Sequence, residues 1–325
     1  MQSIFKFIIS AAAAIVISAC TDKQVVIKYH FAEAEEGREI ISSSDSFTKS
    51  LHAFDLESRL SEAGLEPSES NYLELGRRSV LEWSEKEIRM ITDRAAKLQA
   101  RIDSCGYKLP IPEDITLIKT SMVEEGGAGG YTRGANIFLA SFERLPEEKS
   151  YRMDYILAHE LFHVLTRHNA DFRRAMYRQI GFEILDHEIE FPDCLLEMRI
   201  SNPDVARYDS WSTFTINGVE TPCTMWYRKV REYTGGPFFT YGEPCLLPLD
   251  ADFRPVMNAD GSPVIYELSE AVDFNSRIGI NTDYVINPEE VLADNFAFAL
   301  LDFFPNGNGS PELTERLKEV MRGNW

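Results

Sequence analysis

Three observations predict an α+β fold for this 325-residue chain. Two apolar-patterned helical stretches, near residues 150–169 and 287–298, each carry residue types that bind metals. A short strand, Ile115-Thr-Leu-Ile-Lys119, is followed by a glycine-rich loop at 126–130 and then by the extended run Tyr131–Leu139, which together suggest a small sheet. Between the two helices, residues 191–280 are rich in Pro, Gly and aromatics, with Asn217-Gly218 and Asp260-Gly261 as hairpin turn signals, so a β-rich insertion is expected there.

The first helix carries the chemistry. Met153, Ile156, Leu157, Leu161, Val164 and Leu165 recur at helical spacing, and neither Pro nor Gly interrupts them. His159 and His163 therefore lie one turn apart on one face, where two neutral imidazoles can grip a zinc ion. Glu160 sits beside the first and can accept a proton from a water held there. His168 is about 500° further round the helix than His163 at about 100° per residue, off the ligand face.

A catalytic zinc usually takes three protein ligands. Asn287 is a good N-cap and Pro288 suits the first helical position, so Glu289 and Glu290 open the second helix. Glu290 shares a face with Asp294, which is the arrangement expected of a ligand with a second carboxylate orienting a histidine. Glu290 could instead be only a capping-box residue, and Glu289 is the alternative ligand, one position out of phase with Asp294.

His159, Glu160, His163, Glu290 and Asp294 together resemble the H-E-x-x-H and E-x-x-x-D motifs of the gluzincins, the thermolysin-like zinc metallopeptidases. The resemblance implies a zincin-like domain holding one Zn²⁺, with Glu160 as general base and Asp294 orienting a histidine. It also implies that the strand before the active-site helix is an exposed edge of a small mixed sheet. An extended peptide can bind such an edge by adding a strand, so Tyr131, Arg133 and Asn136 become the substrate-binding candidates. Gluzincins commonly stabilise the oxyanion with a Tyr or His, for which Tyr284, leading into the second helix, is the first candidate and His187 the second.

Residues 1–19 combine one Lys with an apolar run from Phe7 to Ala19, a secretion leader. Ile17-Ser-Ala-Cys20 resembles the lipobox of bacterial lipoproteins, which implies cleavage before Cys20 and acylation of that residue. Thr21 resembles those sent to the outer membrane, facing the periplasm of a Gram-negative cell. Residues 20–45 are then the lipid anchor and tether, part of which can pack as a strand, and residues 46–325 form the domain. The formal charge of −19 argues against nucleic acid and against anionic headgroups as partners. Cys105, Cys194, Cys223 and Cys245 allow three pairings in a compartment that permits disulfides, with Cys223–Cys245 the first expectation because both flank one loop-rich region.

The remaining elements support this framework. Phe47, Leu51, Phe54 and Leu60 suggest an amphipathic helix over 46–63. Ser84 and Glu87 form a capping box that opens a helix ending near Gly106, with a buried stripe through Ile88, Ile91, Ala95, Leu98 and Ile102. The helix opened by Asp171 ends at Gly181, and Ser310-Pro311 starts the last one. The glycines at 126–130 are no phosphate cradle, since no Lys-Ser/Thr pair follows them. The expected function is a membrane-anchored zinc peptidase acting on peptide or protein. Its rivals are a non-catalytic binding or assembly module on the same fold and a zinc amidase acting on cell-wall material.

Overall fold

The computed structural model describes residues 26–143, 149 and 151–325. The leader at 1–19 and Cys20 lie outside the described residues. From Tyr29 onward the chain belongs to the fold. Strand β1 (Tyr29–Phe31) pairs in parallel with β2 (Ile115–Lys119), and helix α1 (Ala34–Ile41) buries Ala34 and Ile41. A tether reaching to residue 45 is thereby corrected. Part of this stretch packs as a strand, as expected, on a partner more than eighty residues downstream.

The helix expected over 46–63 is broken into α2 (Ser46–Lys49) and α3 (Ala53–Leu60). Each has its own N-terminal cap, from the Asp45 and Asp55 carboxylates respectively. Helix α4 (Glu69–Ser79) follows, capped by Ser68, and packs against α1. Helix α5 (Glu85–Cys105) keeps the capping box of Ser84 and Glu87 and ends on Gly106 at φ +66°, as its sequence predicts.

Strands β3 (Gly130–Arg133) and β4 (Asn136–Leu139) complete a mixed sheet of order β1-β2-β4-β3, with β3 antiparallel at the edge. The period-two alternation divides this sheet between two helical layers. Ile115, Leu117, Ile137 and Leu139 face the main core with α5, while Ile118, Tyr131 and Phe138 face Ala34, Ile41 and Val80.

Helix α6 (Tyr151–His168) crosses the main-core face and leads through Asn169, an N-cap, into α7 (Ala170–Gln179). The insertion is β-rich, as expected. Strands β5 (Glu183–Ile184), β6 (Ser210–Ile216), β7 (Val219–Lys229), β8 (Gly242–Pro248) and β9 (Tyr266–Glu267) form an antiparallel sheet in sequential order, with the short helix α8 (Asp193–Leu196) between β5 and β6. Asn217 and Gly218, both at positive φ, make the β6–β7 turn. Phe214, Ile216, Cys223, Met225 and Leu246 of this sheet join the same core as α5 and α6, so the insertion shares the core of the domain that it interrupts.

The β7–β8 register overturns the expected Cys223–Cys245 disulfide. Cys223 stands opposite Pro248 and Cys245 opposite Trp226, and the two thiols face opposite sides of the sheet. All four described cysteines are free.

After α9 (Phe274–Ile278), helix α10 (Pro288–Leu301) runs through the middle of the molecule and packs on α6, with α11 (Pro311–Met321) behind it. Residues Pro288 to Leu300 are all buried. A helix buried all round has no solvent face for charged side chains, so Glu289, Glu290 and Asp294 need partners inside the protein. No helix of the described residues is long and apolar enough to cross a membrane.

Candidate metal centre

The partners of those three carboxylates are the two histidines of α6. His159 Nε2 lies 3.0 Å from Glu290 Oε2, and His163 Nε2 lies 3.8 Å from the same oxygen. These separations bracket the roughly 3.3 Å edge of a tetrahedron with bonds of about 2.0–2.1 Å. His159, His163 and Glu290 thus form a buried set of potential ligands. His163 Nε2 is buried with no hydrogen-bond partner among the described residues. A polar atom left so is costly unless something binds it, and a metal ion fits the donor set.

The second nitrogen of each ring is held by a different carboxylate. His159 Nδ1 lies 3.0 Å from Asp294 Oδ1, which also accepts from the Tyr155 hydroxyl, while Asp294 Oδ2 accepts from Thr282. His163 Nδ1 lies 3.2 Å from Glu289 Oε1; Thr166 donates to the same oxygen and the Tyr177 hydroxyl to Glu289 Oε2, at 2.5 Å each. Bonds to Nδ1 fix both rings so that the two Nε2 atoms converge on Glu290. The carboxylate of Glu289, the alternative ligand, is instead engaged at Nδ1 on the far side of His163. Burial pushes Glu289 and Asp294 up, but their hydrogen bonds from the histidines outweigh it and hold both below the usual carboxylate range. Burial likewise opposes charge on His159, and its bonds to Asp294 and Glu290 raise its pKa nonetheless.

Glu160 points across the cleft to the edge strand, where Thr132 Oγ1 donates to its Oε2 at 2.7 Å. Burial first, then the nearby Asp204 carboxylate, raise Glu160 to about 7, against the pull of His159 and His163. A carboxylate poised near neutrality can both take and return a proton. Gly130 makes room for it, because a Cβ there would meet Glu160 Oε1 at 2.9 Å and Ile156 Cγ2 at 3.2 Å. Its backbone is not in the left-handed region, so alanine suits the strand and the Glu160 side chain must yield. Gly130→Ala is therefore expected to fold with the Glu160 carboxylate displaced from Thr132 Oγ1; a crystal structure of the variant checks this, and an undisturbed bond between the two would refute it.

Tyr284 is 39% exposed and lines the cleft with Tyr155, Glu160, Asp204 and Glu290. Burial of its phenol, then the charges of Glu290, Asp204 and Asp294, push its pKa well up, so it stays a donor. His187 is exposed, bonds only Asp186 among the described residues, and does not reach the cleft, which removes it as a candidate.

The expected substrate contacts are corrected. β3 is the edge strand, but alternation turns Tyr131 and Arg133 to the other face of the sheet. Tyr131 is buried, stacks on Phe138 and donates to Glu124. Arg133 is buried against Asp45 and the carbonyls of Ile41 and Ser43, and Asn136 closes the β3–β4 turn on Arg133 O. Gly130 and Thr132 are the β3 residues on the cleft face.

Sequence reasoning also missed Asp204. With Glu160 and His163 it forms a second buried group of potential metal-binding atoms, its Oδ1 4.0 Å from His163 Nε2. Asn202, also missed, donates to Glu290 Oε1. Nothing in the irregular run Asn202-Pro-Asp204 marks it as part of the site. Tyr155 could have been found, one helical turn before His159 on the ligand face. No protein-family model, curated protein or solved structure matches the chain, so the reading of this site rests on its own geometry.

Proposed function

We propose that the chain is a zinc-dependent peptidase of gluzincin type, with a zincin-like fold, carried on a bacterial lipoprotein anchored through Cys20. One observation carries the reading: His159 Nε2, His163 Nε2 and Glu290 Oε2 converge while separate carboxylates hold both Nδ1 atoms, with Glu160 beside them. A zinc ion on these three residues would supply Lewis acidity, polarising a scissile carbonyl and lowering the pKa of water. Glu160 is positioned by Thr132 to receive a proton from the attacking water and return it to the leaving amine. Tyr284 is placed to donate to a developing oxyanion. The main-chain groups of Gly130 on the edge strand offer an extended peptide its hydrogen bonds. A site built only to stabilise the fold would have no use for a Glu160 facing the cleft.

The test uses the soluble chain beginning after Cys20, purified without added metal. About one zinc per chain is expected, together with cleavage of a mixed peptide library that stops with a chelator and returns with zinc. Absence of bound metal that no added zinc restores would end the reading. Release of fragments from peptidoglycan and none from peptides would instead reassign the substrate to cell-wall amides.

A further inference from the structure

Among the described residues no Lys or Arg side chain bonds the Asp204 carboxylate, and His163 Nε2 stands 4.0 Å from its Oδ1. Its Oδ1 accepts the Thr132 main-chain N–H at 2.7 Å, and its Oδ2 has no hydrogen bond among the described residues. Arg167 on α6 donates to the backbone carbonyls of Pro203 and Asp204 at 2.8 Å each and so holds the loop. The side chain is 9% exposed, and that exposure opens into the cleft lined by Glu160, Glu290, Tyr227, Phe239 and Tyr284.

The position of Asp204 on the edge strand matters as much as its charge. Ala140 N–H bonds Gly129 O, so the alternation of an antiparallel ladder leaves the main-chain groups of Gly130 and Thr132 on the open side of β3. Asp204 takes the Thr132 N–H. An added substrate strand can therefore use Gly130 but finds its next amide partner occupied. The loop bearing Asp204 is firmly set, since Ser201 N–H and Oγ both bond Asp55, which pairs with Arg59, and Asn202 bonds Glu290. The cleft thus ends at Thr132, and what it meets there is a carboxylate whose Oδ2 has no hydrogen bond among the described residues.

We infer that Asp204 receives the terminal α-ammonium of a peptide substrate, so that the enzyme removes residues from the N-terminus rather than cutting within a chain. A terminal ammonium is cationic at neutral pH and can donate to the free Oδ2. It also needs no continuing strand beyond Thr132. The half-exposed aromatic wall of Tyr227, Phe239 and Tyr284 suits an apolar first side chain. This inference rests on the peptidase reading above and answers a question that reading leaves open, which end of a bond the site grips.

The test is a binding comparison on the zinc-loaded chain, read by calorimetry. Leucine hydroxamate carries the α-ammonium; 4-methylpentanoyl hydroxamate has the same skeleton without it. The wild type is expected to bind the first about 10- to 100-fold tighter, the range for a hydrogen bond to a charged group. Asp204→Asn should abolish that preference, read as the ratio of the two affinities on samples whose zinc content has been measured. Equal affinities in the wild type overturn the inference without needing the variant, as does a preference that survives in Asp204→Asn. Faster cleavage of N-acetylated than of free peptides by the wild type would also overturn it. Failure of both hydroxamates to bind would count against the zinc site itself, a different result from equal binding.

Discussion

Glu160→Gln is expected to retain one zinc per chain and to lose turnover by roughly 1000-fold, within the range for removing a general acid–base group. The substitution keeps the shape of the side chain, and the amide oxygen can still accept from Thr132 Oγ1, as Glu160 Oε2 does at 2.7 Å. What disappears is the capacity to take a proton, which the native site prepares by burial and by the Asp204 charge that raise Glu160 to about 7. Removal of an interaction made in the transition state lowers kcat and kcat/KM together and leaves ligand binding nearly unchanged. Metal analysis and steady-state kinetics on the same preparation decide the matter. A variant with full activity and full metal would exclude Glu160 as the base.

Glu290→Ala and Glu289→Ala should differ in kind although the residues are adjacent. Glu290 shares its Oε2 between both histidine Nε2 atoms, so on the proposed three-ligand site its loss should empty the site at any zinc concentration compatible with purification. Glu289 instead holds His163 Nδ1 and accepts from Thr166 and Tyr177. Its loss should weaken zinc about 10- to 100-fold, the usual effect of removing a residue that orients a ligand, and lower stability by leaving the Tyr177 hydroxyl unpaired in the core. Competition with a chromophoric chelator separates the two. Zinc retained by Glu290→Ala and lost by Glu289→Ala would reverse the assignment of ligand and orienting residue.

The division between what was legible in the chain and what was not follows from the range of the interactions involved. Local ones read directly. Ser84 with Glu87, Gly106, Asn287 with Pro288, and the i, i+4 pair His159 and His163 act within a helical turn, and the structure has each of them where the chain predicts it. Errors arose where a residue's role depends on a distant partner. The sequence suggests a tether to residue 45 because nothing local shows that α1 packs on α4, and the face chosen for Tyr131 and Arg133 depended on how β3 pairs with β4.

The sequence by itself determined the two helices, their caps and the residue types that can bind a metal, because periodicity and capping act over a few residues. Only the tertiary structure decided that Glu290 rather than Glu289 meets both histidines, that Cys223 and Cys245 stand on opposite faces of a sheet, and that Asp204 closes the edge strand. Each of those depends on the relative placement of elements far apart in the chain. That placement is set by the shared core in which α10 lies buried against α6, and no local pattern encodes it.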